Sequence, residues 1–147
     1  MASLTTTGSV QQTALSNPVY QAFSLLRVGF TVAPILFGLD KFLGVLTDDW
    51  PSYLWSGVDA VVPGSAADAM LVVGVVEILA GVLVALQPRI GGYVVAAWLA
   101  GIILNLLLLG DYFDIALRDF GLLLGALTLA RLAAAFPSAS IPARGRR

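Results

Sequence analysis

Four long apolar stretches separated by short polar punctuation dominate the hydropathy pattern of the chain. A bilayer core roughly 30 Å thick is crossed by about 20 mainly apolar helical residues. On that measure the pattern predicts spans over 18–46, 65–86, 91–109 and 114–136. Asn17-Pro18 is a favourable N-cap and first-turn pair for the first span. Pro63-Gly64-Ser65 opens the second, where Ser65 and Asp68 stand at capping-box spacing. The third carries no charge, and Asn105 is its polar interruption. The fourth begins near Asp114 and is closed by Pro137.

The connections Gln87-Pro88-Arg89-Ile90-Gly91 and 110–113 are short, so consecutive spans pair tightly. The predicted fold is therefore an all-α, integral membrane four-helix bundle, up-down-up-down, forming one domain over 18–136. Only the first loop is long. Its WPSYLW segment puts Trp50, Tyr53 and Trp55 where an aromatic belt sits at a membrane surface, and a lid over a site is the alternative reading. Residues 1–17 read as a disordered polar tail. With no Lys or Arg and no apolar core, they do not make a secretory signal. Residues 137–147 read as a basic C-terminal tail.

Composition reinforces the membrane reading. Of 147 residues, 59% are hydrophobic and 12% charged, about half the charged fraction of a soluble domain, and mean hydropathy is +0.91. Cysteine and histidine are absent. Disulfides, thiolate metal sites, Cys nucleophiles and histidine-ligated haem are thereby excluded from this polypeptide. No metal and no intrinsic cofactor are expected, so any redox chemistry comes from a bound diffusible molecule or a partner. No nucleic-acid partner is expected either.

Basic residues orient the bundle. Arg27, Arg89, Arg131, Arg144, Arg146 and Arg147 fall on one side, and Lys41 and Arg118 on the other. The larger group marks the cytoplasmic face, which places both termini in the cytoplasm of a multi-pass protein of the cell (inner or plasma) membrane. Each span also has a small-residue surface for close packing: Gly29 with Ala33, Gly81 with Ala85, Ala97 with Gly101, and Gly121 with Gly125. Packing within the chain is the first expectation for GLLLG, and a homo-oligomer the second. Pro34 is expected to kink the first span.

Polar groups at membrane depth are the candidate chemistry. Glu77 lies near the middle of the second span, where an ionised carboxylate must be protonated, paired or beside water. Arg27 is a structural charge partner for it or snorkels to the interface. Asn105 and Asp119 fall at similar depth on neighbouring helices, with Arg118 one position away, and Asp40 and Lys41 end the first span. Together these residues outline a polar-mouthed cavity that opens outward and narrows at Glu77, suited to a quinone head group or small polar substrate. Local ion pairs capping helix ends are the competing account.

Three motifs carry a family resemblance. The run VVEILAGVLVALQPRIGGYVVAAWLAGI, with Glu77, Gly81, Leu83, Arg89, Ala96 and Ala97, resembles the second and third spans of the DoxX family of bacterial four-helix membrane proteins. LLRVGF with Arg27 leading to GLDKFLG with Lys41, and RDFGLLLGAL with Arg118 and Asp119, resemble its first and fourth. The likeness covers Tyr20 to Ala135. The WPSYLW loop is longer than the first loop of that family. Some relatives are described as the small subunit of a thiosulfate:quinone oxidoreductase, and others as parts of membrane complexes handling thiol or oxidative stress. The resemblance thus implies a small membrane subunit of an oxidoreductase or respiratory complex, with a quinone or small-substrate pocket. Its partner would be a membrane or peripheral redox protein, to which any thiol exchange would fall. A non-enzymatic scaffold or assembly factor is the alternative. A transporter is a third, although the chain shows no inverted repeat.

Overall fold

A computed structural model describes residues 16–61 and 63–137. Among them are four long helices, α1 (Pro18–Leu43), α2 (Ala66–Leu86), α3 (Pro88–Leu109) and α4 (Phe113–Ala133). The chain is all-helical, and α1, α2 and α3 are long and apolar enough to cross a membrane. At 1.5 Å per residue the 26 residues of α1 extend about 39 Å. The 21 residues of α4 match α2 in length, but Asp114, Arg118, Asp119 and Arg131 make it less apolar than the other three. Most of the two expected tails, including Arg144, Arg146 and Arg147, lies outside the described residues.

Local chemistry sets the helix ends. The Asn17 side chain accepts from Val19 N at 2.9 Å, with Pro18 at the first position. The capping box at Ser65 forms in both directions: Asp68 N–H donates to Ser65 Oγ, and Ser65 N–H to Asp68 Oδ2. Three boundaries differ from the hydropathy reading. α1 stops at Leu43 and not 46, because Gly44 turns left-handed at φ 60° and its N–H closes on Asp40 O. α3 begins at Pro88 and not Gly91, since a first-turn proline needs no N–H partner. Gln87 alone therefore separates α2 from α3. α4 runs from Phe113 to Ala133, so its last turn ends before Phe136.

α1 packs most extensively on α2, and α3 on α4; the α2–α3 and α1–α4 contacts are thinner. Glycines explain the tight pairs. A methyl group on Gly38 would stand 2.5 Å from Gly74 O, and one on Gly74 would stand 2.8 Å from Gly38 O. Gly81 is pressed against Thr31 O and Ile35, and Gly92 against Ala126 O and Ala130. Such backbone contact, with the dispersion it brings, drives association where lipid removes the hydrophobic incentive. Phe23, Val84, Leu99, Ala126 and Leu129 form the buried core, closed by Tyr20 and Phe136 rings 5.4 Å apart. Leu25, Leu36, Leu79, Leu104 and Leu117 point outward and are largely exposed.

Between α1 and α2 the chain makes two 3-10 turns, Trp50–Tyr53 and Ser56–Ala60. The first lies against the adjoining ends of α1 and α2.

Candidate functional site

Close approach at Gly38 and Gly74 creates the site. With no side chain at Gly74, the Lys41 stem lies over it, its Cβ 3.2 Å from where a Gly74 methyl would be. Helical side chains lean towards their own N-terminus, and Lys41 and Glu77 converge on that basis. Lys41 Nζ reaches Glu77 Oε2 at 2.7 Å, with only 4% and 11% of the two side chains exposed. The Trp50 ring covers the ammonium, its centroid 4.0 Å from Nζ. Trp50 Nε1–H in turn donates to Asp40 Oδ2 at 3.0 Å. A relay of contacts thus runs from Asp40 through Trp50 and Lys41 to Glu77.

Two further groups border the pair. Asp119, from α4, is 5% exposed and lies within electrostatic reach of Glu77. Its nearest cation is Arg118, with Nε 3.4 Å from Asp119 Oδ1 and a side chain 63% exposed. Trp98, from α3, brings its indole towards the Glu77 carboxylate, yet Nε1 is buried and makes no hydrogen bond. A buried donor that falls short of its acceptor is uncommon and carries a desolvation penalty.

Beside Trp98 a groove of about 470 Å³ opens between α2 and α3, lined by Val76, Leu79, Ala80, Leu83, Val94 and Ala97. Glu77 follows Val76 in the chain, so the groove and the ion pair occupy adjoining faces of α2. The thin α2–α3 contact leaves this space.

The residues expected to line one outward cavity separate into distinct roles. Lys41 and Glu77 come together, with Asp119 within electrostatic reach. Asp40 instead serves the loop, accepting from Val45 N and Leu46 N at 2.9 Å as well as from Trp50. Asn105 also serves the loop. Its Nδ2 donates to Tyr53 O at 2.7 Å and its Oδ1 accepts from Trp55 N at 3.0 Å. Arg118 is directed outward. Arg27 is not the charge partner of Glu77: its guanidinium donates to Ala85 O at 2.5 Å, because the α1–α2 register sets residue 27 opposite residue 85. Gly81 and Gly125 pack within the chain, on Ile35 and on the Phe30 ring, while Gly121 has nothing within 4 Å.

The WPSYLW loop folds inward. The Tyr53 ring lies tilted against Tyr112 at 4.6 Å and against Trp50 at 5.8 Å, and of the three loop aromatics only Trp55 remains exposed. Tyr112 holds the left-handed conformation at φ 57°, which non-glycine residues seldom adopt. It does so while its N–H donates to Asp111 and its hydroxyl reaches Ser52 Oγ at 3.4 Å. Trp98 and Tyr112 are contacts that the sequence leaves unmarked, and it marks Trp50 as a belt or lid residue and not as the cover of an ion pair. The seven-residue spacing of Trp98 and Asn105, two helical turns, was the available signal that both face the same side of α3.

No family model, curated protein or solved structure matches this chain.

Proposed function

We propose that the chain is a multi-pass protein of the cell membrane and a small, non-autonomous subunit of a membrane oxidoreductase. On this reading it admits a quinone head group to the α2–α3 groove. The observation that carries the reading is Trp98, whose buried Nε1–H is aimed at Glu77 without closing a hydrogen bond and whose ring walls an apolar groove. A quinone carbonyl entering the groove offers this N–H a full hydrogen bond beside Glu77, and an isoprenoid tail suits the Val and Leu lining. Reduction of a quinone takes two electrons and two protons. The electrons come from a partner, because this chain holds neither Cys nor His. Glu77, held by Lys41, is the nearest group able to pass a proton.

In this arrangement all four helices span the bilayer in alternating directions, with both termini cytoplasmic. Residues 27, 35 and 41 meet 85, 81 and 77 in descending order, which supports the alternation. Arg27, Arg89 and Arg131 at one end support the orientation. α4 spans in this reading because its charged residues cluster near its ends and Asp119 is turned inward. The DoxX resemblance supports the same assignment.

A scaffold or assembly role is favoured by a different observation. Gly29, Gly101 and Gly121 have no atom within 4 Å of an added methyl group, so each leaves a small-residue surface open to another helix. Purification in mild detergent separates the two readings. Quinone recovered with the wild type, and lost from Trp98→Phe, supports the oxidoreductase subunit. A quinone-free homo-oligomer would replace it with the scaffold.

A further inference from the structure

At the opposite end of the bundle a second groove, of about 430 Å³, runs between α1 and the end of α2 and is lined by Tyr20, Ser24, Arg27, Val28, Thr31 and Val32. Its lining includes a guanidinium with no carboxylate partner: among the described residues the ion pairs are Lys41–Glu77 and Arg118–Asp119. The acidic residues of the chain all fall within 40–77 and 111–119. Glu77 is eight residues from Ala85, about 12 Å along α2, and is already taken by Lys41. Arg27 uses one donor on Ala85 O, and a guanidinium has five. One turn further into the membrane, Thr31 Oγ1 is buried without a hydrogen-bond partner. Val28 and Val32 continue the groove as an apolar strip and are 62% and 46% exposed.

A cation at the rim, an unsatisfied hydroxyl one turn deeper and an apolar strip beyond match one chemical outline. That outline is a phosphate, a glycerol ester carbonyl and an acyl chain. We infer that this groove binds one anionic phospholipid, with its phosphate on Arg27, an ester carbonyl at Thr31 and a chain along Val28 and Val32. The site stands apart from the Trp98 groove and does not depend on the quinone reading. Arginine suits it because its planar fork grips phosphate oxygens in pairs.

Native mass spectrometry of the full chain in detergent, titrated with phosphatidylglycerol and with phosphatidylcholine of matched chains, tests the assignment. One phosphatidylglycerol should be retained, roughly tenfold more tightly than phosphatidylcholine. Arg27→Gln should abolish that preference and Arg27→Lys should keep part of it. Val28→Trp, which fills the groove but retains the charge, should remove binding. Arg89→Gln, on the exposed turn, should leave binding unchanged. Equal retention of both lipids, undiminished binding in Val28→Trp, equal losses in Arg27→Gln and Arg89→Gln, or displacement of the lipid by excess inorganic phosphate would each overturn the site.

Discussion

Lys41 and Glu77 stand 36 positions apart in the chain and 2.7 Å apart in space, and the indole of Trp50 closes over their contact. One ion pair therefore ties α1 to α2, and one stacked ring ties the first loop to both. Removing a single partner from such a pair leaves a buried charge uncompensated, with a typical penalty of about 3–5 kcal/mol. Glu77→Gln and Lys41→Met should each lower the unfolding free energy by that order in a mixed-detergent titration. The double substitution should recover most of the loss, because no charge is then stranded. Strictly additive losses would show that the two residues do not act as a pair.

Glycine substitutions should split by position. Gly38→Ala forces a methyl group onto Gly74 O and should cost about 1–3 kcal/mol through overpacking, read as a lowered thermal midpoint. Gly101→Ala meets no atom and should be neutral, or stabilising by up to about 1 kcal/mol from helix propensity. Equal destabilisation by both would contradict the assignment of the α1–α2 contact.

Asn105→Leu should free the loop while leaving the helices in place. It removes the acceptor of Trp55 N–H and the donor to Tyr53 O. Loss of about 1.4 kcal/mol of local protection corresponds to roughly tenfold faster amide exchange. Hydrogen exchange should show that acceleration at residues 53–55 and little change within α3. An unchanged loop would mean that Tyr53 and Tyr112 stacking suffices alone.

At Tyr112 backbone and side chain make opposing demands. Tyr112→Val keeps a side chain at φ 57° and adds β-branching there, so strain rises while the ring contact with Tyr53 is lost. Tyr112→Gly loses the same ring but relieves the strain. Thermal unfolding should therefore place the valine variant lowest, with the glycine variant closer to wild type. A valine variant as stable as the glycine variant would show that the backbone at this position carries no strain.

Helices and caps were legible in advance because both are local. Asn17-Pro18 and Ser65 with Asp68 form caps from residues within one turn, and apolar length by itself marks α1, α2 and α3. The ion pair was not legible. The sequence offers Arg27, as a partner reaching for Glu77 or as a snorkelling side chain, whereas the partner follows from how Gly38 meets Gly74 across two helices. That register sets Ala85 opposite Arg27 and leaves Lys41 free to lean onto Glu77. Depth likewise could not show that the loop descends far enough to use the Asn105 amide. Nor does hydropathy reveal the buried indole of Trp98, which is aimed at Glu77 without closing a hydrogen bond.

Gln87 is both the last cap of α2 and the first of α3, and so short a link bears on biogenesis. In the proposed membrane arrangement neither helix has enough slack to settle while the other waits outside, so the two would enter the bilayer together as a single hairpin. Lengthening that turn with flexible residues would uncouple their entry, letting the span that carries the buried acid arrive without its neighbour.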